Sequence, residues 1–128
     1  MKRLKNKTAY GYKLNKMNDD TYALRRKVID TIYEVKGKGF SIPRIEVRIV
    51  KKGQSNIMGY AYMNSNIVHI AEKWAKVKND RLTHLVLHEI LHAIKGIEHD
   101  EKCYLMQSFI PNEIEINKTW KAFNKYFN

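Results

Sequence analysis

The run His88-Glu89-Ile90-Leu91-His92 sets two imidazoles four residues apart, with a carboxylate beside the first. On an α-helix, residues i and i+4 project from one face, one turn above the other. Two imidazoles so arranged can grip one metal ion, and the neighbouring glutamate can reach a water on that ion. Hydrolytic zinc sites take three protein ligands and keep a fourth position for water, so a third ligand must come from beyond the helix. Gly96 lets the chain turn back, and His99 is the nearest imidazole after it. Zinc lowers the pKa of its water from ~16 to around 7. Glu89 would take that proton and later deliver it to a leaving amine. The chemistry expected from these residues is zinc-dependent hydrolysis of a peptide bond, with one Zn2+ per chain.

Other residues near the run have simpler readings. His84 extends the ladder one turn upstream, but three ligands on a straight helix span about 12 Å, too far for one small ion. It reads as a partly exposed helix residue, or at most a supporting group. His69 reads as a structural histidine on a strand, and Cys103 as a small buried loop residue. Leu85, Ile90, Leu91, Ala93 and Ile94 surround the motif. In such a setting two histidines and a glutamate are costly to bury without a metal.

The stretch His88 to Met106, HEILHAIKGIEHDEKCYLM, resembles the metzincin clan of zinc peptidases, above all its compact matrixin-like and archaemetzincin-like members. That family pairs H-E-x-x-H-x-x-G-x-x-H with a downstream methionine turn beneath the zinc, a place the resemblance gives to Met106. Gly59-Tyr60-Ala61-Tyr62 and Ile67-Val68-His69-Ile70 look like the strands that precede the family's active-site helix. The resemblance implies that a peptide or protein substrate lies extended along an edge strand. Tyr60, Ala61 and Tyr62, or else residues 67–70, would form that edge. One departure is plain: three residues separate His92 from Gly96, where the family has two. The resemblance therefore leaves Asp100 as the alternative third ligand to His99, some relatives using aspartate there. Gln107 and Ser108 stand where the family carries a tyrosine.

The elements that must position these residues follow from hydrophobic period. Tyr22, Val28, Ile29, Ile32, Tyr33 and Val35 recur at roughly helical spacing, predicting a first helix over about 20–36 that Gly37 and Gly39 close. Ile45, Val47 and Ile49 alternate with Arg44, Glu46 and Arg48, the mark of a half-buried strand. Residues 51–56 are turn material, 57–63 a second strand, and 67–70 a third. A helical turn is expected around Trp74. Asn79 or Asp80 caps a central helix running to about Lys95, and Gly96 stops it in a left-handed conformation. Ile116, Trp120, Phe123 and Phe127 form an apolar stripe on a terminal helix. The expected fold is α+β, a small metzincin-like zincin domain. It has an N-terminal helix, a short mixed sheet of about three or four strands, the central helix, a methionine loop and a C-terminal helix.

At 128 residues and 44% apolar, the chain suits one domain with a modest core. Residues 1–18 read as a flexible basic arm. No run is apolar for long enough to span a bilayer. The basic stretch Met1–Lys7 is not followed by the apolar core of a secretory signal, and one cysteine forms no internal disulfide. A cytoplasmic or virus-particle setting is expected. The formal charge of +11 would attract nucleic acid, an anionic membrane or an acidic partner, although no base-reading motif accompanies it. Two other readings stand beside the peptidase. DNA-associated zinc proteases also follow H-E-x-x-H with Gly and a nearby His-Asp pair. A catalytically inactive, zinc-stabilised structural or virion protein would keep the histidines without needing Glu89.

Overall fold

The computed structural model describes residues 19–50, 59–61 and 65–127 of the 128-residue chain. The basic arm expected over residues 1–18, the turn at 51–56 and Tyr62 lie outside the described residues. What is described is a small α+β domain.

Helix α1 spans Asp19–Gly37. Leu24, Val28, Ile32 and Val35 form its buried stripe, spaced at the three- and four-residue intervals that keep side chains on one face. Strands β1 (Glu46–Val50), β2 (Gly59–Ala61) and β3 (Ile67–Ala71) form one sheet in the order β1-β3-β2. β1 runs parallel to β3, with Val47 opposite Val68 and Ile49 opposite Ile70. β2 runs antiparallel to β3, with Tyr60 opposite His69. The sheet is therefore mixed.

β3 lies in the centre, which overturns the expectation that residues 67–70 could serve as an edge. Val68, His69, Ile70 and Ala71 are consecutive buried positions. A strand paired on both sides and covered on both faces reads as a continuous buried run, not as an alternation. Among the described residues β2 holds one outer position and β1 the other.

A 3₁₀ turn, Glu72–Lys76, buries Trp74 and leads into helix α2, Asn79–Lys95. Asn79 is the first helical residue, so the cap falls on Lys78, which makes no side-chain capping bond. Arg81 anchors this end instead: Nε donates to the Pro111 carbonyl at 2.8 Å and a terminal nitrogen to that of Ile110 at 3.0 Å. From His84 through Ala93 every residue of α2 is buried, so the helix is enclosed on all sides. Helix α3 covers Ile116–Asn124, and the expected terminal helix tightens into a 3₁₀ turn over Lys125–Phe127. Phe40, arriving from α1, packs its ring 5.0 Å from both Phe123 and Phe127 and so fixes α3 to the core.

Gly96 ends α2 at φ 63°, ψ 27°. Its N–H donates to the His92 carbonyl at 3.2 Å, and the Ile97 N–H donates to that of Leu91 at 3.2 Å, so the chain reverses tightly. A Cβ in this left-handed conformation costs about 1 kcal/mol. Gly96→Ala is therefore expected to lower the free energy of urea unfolding by about that amount, and an unchanged midpoint would contradict the strained reversal.

Candidate metal centre

His88 and His92 lie on successive turns of α2, 4% and 8% exposed, with Nε2 atoms 3.1 Å apart. Each ring is oriented from behind by a backbone carbonyl. His88 Nδ1 lies 2.7 Å from the Leu105 oxygen, and His92 Nδ1 lies 2.5 Å from the Ile97 oxygen. A carbonyl oxygen only accepts, so both Nδ1 atoms carry the proton and both neutral rings leave Nε2 bare. Two bare lone pairs then face each other at hydrogen-bond distance with nothing of their own to share. Burial pushes His88 down to about 4 and also lowers His92, which disfavours an imidazolium as the bridge.

The reversal at Gly96 returns His99 to the same place. Its ring centroid is 5.2 Å from that of His88 and 4.9 Å from that of His92. One nitrogen from each of the three histidines falls within a group spanning no more than 4.8 Å. Tetrahedral zinc with bonds of ~2.0–2.1 Å needs nitrogens ~3.4 Å apart. The His88–His92 pair already has nearly that spacing, so the donor set fits such an ion. His99 is exposed, so the third ligand position opens to solvent. α2 continues to Lys95, and the chain turns at Gly96. Asp100 is engaged elsewhere, with Oδ1 accepting the Lys102 N–H at 3.0 Å.

Glu89, between the two helix histidines in sequence, is 3% exposed, and its Oε1 is buried without a hydrogen-bond partner among the described residues. Desolvation pushes its carboxyl up to about 8. A nearby divalent cation would favour the carboxylate and draw the group back into its ionised form.

The loop after His99 is closed by its own backbone. Asp100 N–H donates to the Met106 carbonyl at 2.8 Å, Cys103 N–H to that of Asp100 at 2.9 Å, and Met106 N–H to that of Cys103 at 3.2 Å. Met106 is fully buried in the core cluster, next in sequence to the Leu105 carbonyl that orients His88. Cys103 is half-buried, not buried as expected, and its sulfur accepts the Tyr126 hydroxyl at 3.3 Å.

His84 requires a correction: it is fully buried, not partly exposed. Its Nδ1 lies 2.8 Å from the Thr119 hydroxyl, and Tyr104 packs edge-on against its ring at 5.3 Å. The Tyr104 hydroxyl in turn accepts the Glu115 N–H at 3.0 Å. Helix α3 thus braces both α2 and the loop residue beside Leu105. Sequence reasoning missed this brace because Thr119 and Tyr104 carry no motif. The carbonyls of Leu105 and Ile97 are invisible to it altogether, since every residue has one.

Burial lowers His84 to about 4, from 6.5 for a free imidazole. Between those values the unfolded chain binds a proton there that the folded chain refuses. The stability contributed by neutral His84 is complete above about pH 6.5 and is lost as the pH falls toward 4. In metal-free protein the urea midpoint should fall across that window. His84→Gln should fall less steeply, by about one proton's worth of slope. Identical slopes in parent and variant would contradict the assignment.

No protein-family model, curated protein or solved structure matches this chain.

Proposed function

We propose that the chain is a zinc-dependent endopeptidase of metzincin type, with His88, His92 and His99 as metal ligands and Glu89 as the general base and acid. The observation that carries this reading is the pair of bare Nε2 atoms held 3.1 Å apart by carbonyls that fix both tautomers. A divalent cation resolves that arrangement, and three imidazoles are a donor set suited to zinc. Bound there, zinc would act as a Lewis acid and make a water nucleophilic at neutral pH.

The chain's own groups do the rest. Leu105 and Ile97 hold the imidazoles in the tautomer that presents Nε2, and a polar group behind a ligand typically strengthens its metal affinity. Glu89, whose buried Oε1 has no partner among the described residues, would accept a proton from water and return it to the departing amine. Its apolar surroundings keep competing water away from that oxygen. β2, the outer strand antiparallel to β3, offers a peptide backbone an edge at Tyr60 and Ala61. The opening at His99 favours a catalytic site over a closed structural one.

The purified protein should bind about one zinc per chain, read by metal mass spectrometry. Glu89→Gln should keep the zinc and the fold while losing at least ~100-fold in peptide hydrolysis, the usual contribution of a general base. Parental cleavage by the variant would remove Glu89 from the mechanism. Zinc binding with no cleavage of a diverse peptide library by the parent would favour a structural metal.

His99→Ala and Asp100→Ala separate the third ligand from its neighbour. Competition with a chromophoric chelator should show His99→Ala weakening zinc strongly and Asp100→Ala leaving it nearly parental. The reverse outcome would assign the ligand to Asp100.

A further inference from the structure

A cavity of about 520 Å3 opens between α1 and the beginnings of β1 and β3, lined by none of the three metal-site histidines. Cavities of ~300–1,000 Å3 are the size that encloses a small ligand or a few side chains. Its floor is aliphatic, built by Ile29 and Ile32 of α1, Ile45 before β1 and Ile67 of β3. Its rim is cationic: Arg25, Lys36 and Arg44. Among the described residues neither Lys36 nor Arg44 belongs to an ion pair, and both are exposed. The rim's carboxylate, Glu46, is held by Arg48 at 2.7 Å. Tyr33, 65% exposed, stands over the same wall.

We propose that this groove binds an extended acidic peptide segment of a partner protein, with its carboxylates at Lys36 and Arg44 and its aliphatic side chains on the isoleucine floor. Glu46 N–H donates to the Asn66 carbonyl at 2.7 Å and Arg25 takes the Val47 carbonyl at 2.7 Å, so the wall of the groove is held from the β3 side and from α1. Charge selects the occupant. A second copy of the chain brings a net charge of +11, and the chain's own N-terminal segment brings Lys2, Arg3, Lys5 and Lys7, so both are repelled by the rim. Nucleic acid matches the rim but not the floor, because a phosphate backbone gains nothing from four isoleucines.

The test uses the full-length protein and a short fluorescein-labelled peptide alternating glutamate with leucine, followed by fluorescence anisotropy. Saturable binding that weakens with salt is expected, with amide shifts in the parental protein concentrated on α1 and residues 44–47. Lys36→Glu with Arg44→Glu should weaken binding at least tenfold. Lys121→Glu with Lys125→Glu, which changes the net charge equally away from the groove, should leave it within twofold. Equal losses in the two variants, shifts spread over the whole surface, or no saturable binding would each overturn the proposal. So would displacement of the peptide by a thymidine oligonucleotide at lower concentration than by unlabelled peptide. None of these readings depends on zinc or hydrolysis.

Discussion

Two neutral imidazoles facing each other through unprotonated nitrogens is the constraint on which the rest of the structure depends. Left to themselves, the rings of His88 and His92 could rotate or swap tautomer and share one hydrogen bond. The carbonyls of Leu105 and Ile97 remove that freedom, because each demands a proton on Nδ1. Both carbonyls come from outside α2, so the tautomers are set by chain segments that must themselves be held still. Burial raises the stakes: a proton added between the rings would be an isolated charge in an apolar setting. A third imidazole, a cation-accepting arrangement and an adjacent buried carboxylate together make the local chemistry coherent.

Holding those carbonyls still explains much of the remaining architecture. The Ile97 carbonyl is placed by the left-handed turn at Gly96, which also brings His99 round. The Leu105 carbonyl is placed by a loop closed from Asp100 to Met106 and braced through Tyr104 against α3. α3 is fixed in turn by the contacts of Phe40 with Phe123 and Phe127. A chain of packing and hydrogen bonds therefore runs from the end of α1 to the ring of His88. The polar members of that chain are partnered, and His88 at its end is buried, which favours a single arrangement over several.

The molecule is polarised in a second sense. β2 and β1 occupy opposite outer positions of the sheet, with β3 between them. The β1 side carries the cationic, isoleucine-floored groove, whereas the centre of α2 carries the histidines. A net charge of +11 gives no address by itself, since every described helix and 3₁₀ turn carries a lysine. What gives the groove its character is the pairing of a cationic rim with an aliphatic floor. Recognition there would join a charge match to the burial of apolar surface, and neither alone would discriminate.

How much could be read in advance depends on the range of the interaction. The body of α2, the stop at Gly96, the Val28, Ile32 and Val35 part of the α1 stripe and the third strand were legible because helical and strand periods are local properties of the chain, whereas Tyr22 and Tyr33, on the same period, are exposed and the cap of α2 falls on Lys78. The His88-Glu89-His92 spacing was legible for the same reason, since one helical turn converts sequence distance into spatial distance. His84 was misjudged because burial of a fourth helix face depends on what packs there, and Thr119 and Tyr104 lie far along the chain. That residues 67–70 lie at the centre of the sheet is not legible in the sequence, because strand order is not written in any one strand. The sequence by itself determined which residues could bind a metal and which helix would carry them. Only the tertiary structure decided that His99 returns to them, that Asp100 turns to Lys102, and that two distant carbonyls fix the tautomers. Those outcomes rest on backbone groups and long-range packing, and every residue type carries the same backbone.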